Sequence, residues 1–548
     1  YALEKIPGPA AAKALLAALN TAQDDTRLGI ISSLGERKTL EAVKPLASLL
    51  NERDTAVVSA SAISLGKIGG REAAAVLSEA FDSVPESLRT EIAFSLLRCA
   101  EEFMVMRDYR SADGIFGQIL NPQSPLLPIV LRQTAFKGRI LAAERDEASR
   151  MIIDTLVRGP QDMHEPAIGL VPVVFKESEI APVLDLLAKI PETSQVQLLA
   201  VLVNYPKAAV QAAVLSAAAS PSQAVRIAAL KALAKVGDAA TVRFLVEHAA
   251  GSRGEEQLAA RASLWTLPGK EVDEAVIFGL AAFPGDPAKN ELIRAVAERQ
   301  ISAGKGHLLI LAGSGSLQNK QEAAKSLRAI ASPADIPALL DILLKSTEET
   351  VQEEMENTIA SFAQKISSPY ARANSIKILL SPASNSQLPP VTDIPKRCLL
   401  YRTLGKIGDD SALPLLRAAL KHQDAQIQDA VIRALAEWPN AAPREEVLAI
   451  ARSSRDLTHQ VLALRGFVRM VQLEKYQPSE AAVRNLKTAL DLTSRPEEMK
   501  LILGALPDFA CQEALALAES LLNTDGVRAE AQAAVDAIKE KLNTGTSF

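Results

Sequence analysis

Ser64-Leu65-Gly66-Lys67 has the Ser-x-x-Lys spacing by which some acyl-transfer enzymes set a lysine one helical turn from a serine, within reach of its proton. No second motif of such an enzyme accompanies it, and the four residues fall on a phrase that the chain repeats, so they read as architecture. Gly304-Lys305-Gly306-His307 and Gly313-Ser314-Gly315-Ser316 lack the strand, spacing and Gly-Lys-Ser/Thr ending of a phosphate loop, and read as turns flanking the apolar run Leu308 to Leu311. Cys99, Cys398 and Cys511 are far apart and the five histidines stand singly, so the sequence offers none of the paired ligands of a zinc site. Cys99 and Cys511 lie in apolar helical stretches and read as small buried hydrophobes. The acidic run Glu348, Glu349, Glu353, Glu354 and Glu356 opens a helix, where negative charge suits the positive end of the dipole, and reads as a solvated first turn. These readings assign no catalytic residue, no cofactor and no metal ligand.

The elements beneath these residues come from the repeated phrase itself. Ser64-Leu65-Gly66-Lys67-Ile68-Gly69-Gly70 returns as Ala232-Leu233-Ala234-Lys235-Val236-Gly237-Asp238 and again as Thr403-Leu404-Gly405-Lys406-Ile407-Gly408-Asp409. Self-similarity at a period of roughly 30 to 45 residues signals a stack of units, each too small to bury its apolar face alone. In one such unit Val225, Ala228, Ala229, Leu230 and Leu233 recur at helical spacing, and Val242, Leu245 and Val246 mark a second helix over 240–249 that faces the first as a hairpin. Gly237 ends the first helix, where a left-handed cap favours glycine, and Asp238 caps the next. Pro45, Pro182, Pro337 and Pro414 fall in the first turn of second helices, where a missing N–H goes unnoticed, and Asp54 and Asp424 cap first helices. The spacing predicts an all-α solenoid of antiparallel helix pairs stacked as one right-handed superhelix, with Ala228, Ala229 and Ala232 at tight helix contacts.

At these residues the chain resembles the HEAT-repeat family, including the variant seen in phycobilin-lyase-type proteins. Its units share Asp, then Val-Arg, spaced alanines, Leu-Gly-x-Ile-Gly and a Pro-led second helix; Val225-Arg226 to Asp238 matches nearly throughout. The last leucine of the first helix gives Leu34, Leu65, Leu97, Leu202, Leu233, Leu264, Leu327, Leu404, Leu435 and Leu506, an array of about 13 to 15 units. Residues 1–380 read as one array with a tetratricopeptide-like unit near 100–121, where Tyr109, Ala112, Ile115, Phe116 and Ile119 keep helical spacing along Met104 to Leu120. Residues 381–396, rich in Pro, Ser and Asn, read as a loop insertion that could hinge or project, and 397–548 continue the array. The resemblance implies a HEAT/armadillo-like superhelix, a non-enzymatic scaffold binding a protein or peptide on a concave face lined by second helices. It also admits an accessory repeat region of a larger bacterial enzyme, sugar-active or cytochrome-containing, and a HEAT-like lyase or DNA-alkylation glycosylase acting on a ligand in the groove.

Binding residues follow from the same register. Trp438 stands where Ile68, Val236 and Ile407 stand in their repeats and fills the turn, whereas Trp265 replaces the small residues Gly66, Ala234 and Gly405. A ring at a close-packed place must displace its neighbour or point outward, and exposed aromatics suit binding surfaces. Trp265 therefore joins Arg243, Glu247 and Arg417, on the exposed sides of second helices, as the candidate partner-binding set. The 60 basic and 65 acidic residues leave a net charge of −5 with no long run of one sign, so nucleic acid is not the expected partner, though a neutral total can conceal a basic stripe. No apolar run reaches the roughly 18 to 20 residues of a membrane span. The chain opens on Tyr1 inside a helix-like pattern, which points to a mature form or a segment of a longer protein; cytoplasm and periplasm both stay open, as does the oligomeric state.

Overall fold

The computed structural model describes residues 2–121, 127–381, 390–474 and 477–544, and these form α-helices joined by short turns and eight 3-10 segments, with no strand among them. Six first helices start where a side chain satisfies an orphan backbone donor of the opening turn. Asp54 accepts from Ala56 N at 2.9 Å and Asp424 from Gln426 N at 2.9 Å, and Ser222, Ser316, Asp393 and Asp456 cap their helices in the same way. Eleven residues after each cap comes a fully buried apolar side chain: 54 to Leu65, 222 to Leu233, 393 to Leu404, 424 to Leu435. The same interval from residues 285, 348 and 456 reaches Val296, Ile359 and Phe467, units hidden from a search for leucine. From residue 85 it reaches Leu96, so the third unit is anchored on Leu96 and not on Leu97.

Anchoring at a fixed interval lets successive first helices stack in register. Thr55–Ile68 packs on Asp24–Glu36 and Glu86–Val105, and Ile394–Ile407 packs on Glu349–Ala363 and Ala425–Ala436. The residue after the anchor sets how close they come. A Cβ on Gly35 would lie 2.7 Å from Ser64 Cα, one on Gly66 2.8 Å from Ser95 Cβ, and one on Gly405 2.7 Å from Ala434 Cα. Hydroxyls use the same closeness: Ser64 Oγ donates to Ile31 O at 2.9 Å, and Ser263 Oγ to Leu230 O at 2.7 Å, one repeat back in each case. Second helices form the other layer, and most pack mainly on the first helix that follows, as Val43–Leu49 does on Thr55–Ile68 and Arg444–Ser453 on Leu457–Leu473, whereas Ser479–Leu490 packs more on the preceding Leu457–Leu473. The structural hairpin is therefore the Pro-led helix plus its successor. Pro182, Pro337 and Pro414 do stand in the first turn, each after a 3-10 segment.

Several expectations shift at this level. Gly237 has φ −75°, an ordinary conformation; it is glycine because a Cβ would lie 2.6 Å from Leu233 O and 2.8 Å from Leu267 Cδ1. The left-handed cap occurs instead at Gly408, φ 66°. Ala229 and Ala232 are buried as expected, but Ala228 is only half-buried. Met104 and Val105 close the helix Glu86–Val105, and the following helix spans Tyr109–Ile119, burying Ala112, Ile115, Phe116 and Ile119 but leaving Tyr109 exposed. Residues 382–389 of the loop segment lie outside the described residues, and Ile394–Ile407 begins inside the 381–396 range.

The helices divide into two compact units, residues 1–241 with 252–268 and residues 242–251 with 269–548. Each is a stack of the kind just described.

Candidate functional site

The polar groups that could do chemistry are mostly engaged in holding repeats together. Ser64 is buried with its hydroxyl on Ile31 O, and Lys67 Nζ reaches Glu36 of the preceding repeat, so the Ser-x-x-Lys pair has no free base. The glycine-rich segments are not turns around a short helix: Lys305–Ser314 is helical, and Lys305 Nζ pairs with Asp335 at 3.0 Å. Burial pushes the Cys99 thiol up to about 12. Cys511 is half-buried at the cap of Gln512–Ser520, outside any helix interior, and burial raises its thiol and that of Cys398 too. Asp424 and Asp429 add to the shift at Cys398, while the nearby His459 ring nitrogen meets Asp429 Oδ1 at 2.9 Å. A nucleophilic cysteine needs a depressed pKa, and these surroundings do the reverse. Among the described residues no group of three His, Cys, Asp or Glu side chains is placed to hold a metal, and no helix is long and apolar enough to cross a membrane.

Of the acidic run at 348–356, Glu349 and Glu353 are exposed as a solvated turn requires, but Glu348, Glu354 and Glu356 are paired across repeats. Glu356, 2% exposed, receives Arg402 at 2.9 Å and Lys406 at 3.0 Å from the next first helix, while Glu348 pairs with Lys320 at 2.9 Å and Glu354 with Arg328 at 2.7 Å. Arg402 is one rung of a ladder. Arg294, Arg402, Arg433 and Arg465 each stand two residues before the anchors Val296, Leu404, Leu435 and Phe467, so the second unit does carry a basic stripe on its first helices. The stripe is neutralised in place: Arg294 by Glu291 and Glu322, Arg433 by Asp429, and Arg465 by Glu498, which also takes Arg495 at 2.8 Å. In the first unit, Arg226 of the Val-Arg motif makes a two-pronged contact with Glu256, 2.9 Å at each oxygen.

These pairs make the fold acid-sensitive. The Lys320 hydrogen bond holds the Glu348 carboxyl down to about 2. At Glu498 and Asp429 burial pushes upward, but the arginines beside them win and both carboxyls sit below their usual range. A carboxyl lowered in the folded state contributes stability above its unfolded pKa of about 4, and that contribution is lost as pH falls through the folded value. Unfolding midpoints should therefore decline steeply between about pH 4 and pH 2. Glu348→Gln should make the decline shallower, and an unchanged acid limb would show that this pair does not contribute.

The four binding candidates stand on three helices. Arg243, on Thr241–Gly251, pairs with Glu247 of its own helix at 2.9 Å and lies 5.8 Å from the Phe283 ring centroid; Arg417, on Leu413–Ala419, pairs with Glu446. Trp265 is half-buried at the end of Gly254–Thr266, and Trp438 is wholly buried, its Nε1 donating to Asp410 Oδ1 at 3.0 Å.

The first unit shows a surface that residue-by-residue reading missed. Ile63 and Phe94, 38% and 58% exposed, stand two residues before the anchors Leu65 and Leu96, in the place that the second unit gives to arginine. Val196, Ile227 and Leu258 stand six before Leu202, Leu233 and Leu264, with Leu258 60% exposed. Between the helices Glu192–Leu202 and Gln223–Val236 lies an apolar cleft of about 540 Å³, lined by Val196, Leu199, Ala200, Ile227 and Ala228. The signal was available in the sequence, as apolar residues two or six places before an anchor, one helical turn apart on the same face.

The HEAT-repeat family model matches residues 2–97, and the model of the PBS lyase HEAT-like repeat matches residues 402–422. No curated protein matches the sequence. Among solved structures, a chain of the Kap95p–RanGDP complex is 9% identical over 98% of this chain and 90% of its own, with a TM-score of 0.34. Importin beta crystallised with ammonium sulfate is 11% identical over 99% and 92%, TM-score 0.33, and Kap121p bound to Pho4p is 14% identical over 97% and 78%, TM-score 0.35. Superpositions this loose say nothing of what the chain binds.

Proposed function

The chain is a HEAT-repeat protein, and from that premise we propose that it is a non-enzymatic scaffold whose first helices present a binding face to a protein or peptide partner. A stack curves toward its more tightly packed layer, and the first helices approach nearly backbone to backbone at Gly35, Gly66 and Gly405. On that ground the concave side of each unit falls on first helices, with Arg243, Glu247 and Arg417 on the second-helix layer. The observation that carries the reading is the exposed apolar series Ile63, Phe94 and Leu258 on the first-helix face of a unit whose core is otherwise well buried. Exposed apolar side chains on that face offer contact area, while Arg226, Arg294, Arg402 and Arg465 of the same helices are occupied in pairs with carboxylates. The match to a lyase-type repeat at 402–422 does not favour a catalytic reading, because Arg402 and Lys406 in that stretch are held by Glu356.

Affinity capture with the parent chain, with Ile63→Glu/Phe94→Glu and with Arg243→Glu tests the face. Surface changes cost under about 0.5 kcal/mol, so folding should survive all of them. The Ile63→Glu/Phe94→Glu protein should lose partners that Arg243→Glu retains. The opposite pattern would move the binding face to the second helices, and turnover of a small molecule by the isolated chain would replace the scaffold reading.

A further inference from the structure

We infer that the cleft between Glu192–Leu202 and Gln223–Val236 is a seat for a single amphipathic helix whose flank carries two acidic side chains one turn apart. The inference rests on the reading of the first helices as the binding face and specifies what one part of that face takes.

Both walls of the cleft are helices. Val196, Leu199, Ala200 and Val203 line one side, and Ala224, Ile227, Ala228, Lys231, Ala232 and Lys235 line the other, each series keeping three- and four-residue steps. From Ala224 to Lys235 the wall runs about 16 Å at 1.5 Å per residue, the length of roughly three helical turns. Ala200, Ala224, Ala228 and Ala232 are small, so a third helix can approach closely with its ridges between those of the walls.

Two properties decide the occupant. The wall backbone is already hydrogen-bonded within its helices, so an extended peptide would bury amides with no partner, at a cost of a few kcal/mol each. A helix brings its amides satisfied and offers apolar side chains at matching intervals. Charge settles the flank. Lys231 and Lys235 are exposed on the rim, one turn apart, and neither has an ion pair or hydrogen bond among the described residues. Elsewhere on the first-helix layer Lys67, Arg226, Arg294, Arg402, Lys406 and Arg465 are each matched to a carboxylate, while Arg98 and Lys325 are exposed without a pair among the described residues but line no such cleft. Two unmatched ammonium groups beside an apolar floor call for carboxylates on the incoming helix. Glu255, also at the cleft, repels a carboxylate on its own side, so the acidic pair of the incoming helix belongs beside the two lysines.

The test uses the full chain and a display library of fourteen-residue helix-forming peptides, apolar on one face and randomised elsewhere. Selection should enrich peptides with Asp or Glu at positions four apart beside the apolar face. Their affinity should fall about tenfold or more on Lys231→Glu/Lys235→Glu, which alters only exposed charges, and on Ala224→Trp, which fills the cleft from an exposed position. Arg243→Glu should leave it unchanged. Enrichment of basic or extended sequences, or equal affinity for the parent and the Ala224→Trp chain, would overturn the inference. Peptides that ignore the cleft variants but are lost on Ile63→Glu/Phe94→Glu would overturn it while leaving the binding face where it is proposed. Failure to enrich any helix on a folded chain would overturn it as well.

Discussion

Trp438→Ala is expected to remove about 3 to 5 kcal/mol of local stability, the cost of emptying a fully buried indole site. The ring closes the turn after Ala425–Ala436, and its Nε1 ties that turn to Asp410, in the segment Asp410–Ala412 that leads into the preceding second helix. Removing it opens a cavity and also takes a donor from Asp410, whose Oδ1 otherwise keeps only the Asn440 amide at 3.1 Å. Arg469, which donates to Ala436 O and Trp438 O, would lose the backbone geometry it clamps. Hydrogen exchange should accelerate in Ala425–Ala436, Leu457–Leu473 and the Asp410–Ala412 turn, with distant repeats unaffected, because each repeat is supported mainly by its neighbours. Trp438→Phe separates the two terms: it keeps most of the volume and should lose only the hydrogen bond, about 0.5 to 1.5 kcal/mol. A loss below about 1 kcal/mol for the alanine variant would mean that the site collapses around the gap.

The comparison with Trp265 shows what the sequence made legible. Trp438 could be placed in the turn because it occupies the position of Ile68, Val236 and Ile407, and register alone puts that position in the core. Trp265 could be flagged as misfitting, yet its half-buried state depends on how neighbouring side chains give way, which no periodicity encodes. Caps, anchors and first-turn prolines were likewise local and readable. The slip from Leu96 to Leu97 came from two adjacent leucines, both apolar enough to serve, and only the interval from the cap or the approach of Gly66 to Ser95 chooses between them.

What stayed hidden is non-local. That Glu356 is buried under Arg402 and Lys406, some 46 to 50 positions later, cannot be read from a run of glutamates at a helix start. Pairing a second helix with the first helix after it was equally invisible, because the Gly-Asp turn advertises the opposite hairpin. Arg243, Glu247 and Arg417 are visible as charges on second helices, whereas Ile63, Phe94 and the cleft beside Ile227 lie on first helices among residues that look like ordinary core. Apolar residues at helical spacing are usually buried, and only the three-dimensional register tells which of them the stack leaves uncovered.

Leu233→Ala is expected to cost about 2 to 5 kcal/mol, since the side chain is wholly enclosed and its removal leaves a cavity that the surrounding helices fill only in part. Gln223–Val236 packs on Glu192–Leu202, Lys207–Ala217 and Gly254–Thr266, so the loosening should appear as faster hydrogen exchange in those helices first. Lys231 lies two residues away on the same helix but points to the rim, and its reversal should cost under about 0.5 kcal/mol. The pair therefore separates two roles of one helix. If the cleft binds as inferred, Leu233→Ala weakens a bound helix only to the degree that it loosens the walls, and its affinity loss should shrink on cooling toward the temperature of greatest stability. The loss on Lys231→Glu/Lys235→Glu should instead shrink with added salt, because exposed charges are screened within a Debye length of about 8 Å at 0.15 M. Equal salt sensitivity for both variants would show that the core residue acts through the charges, and the helix would then have one role rather than two.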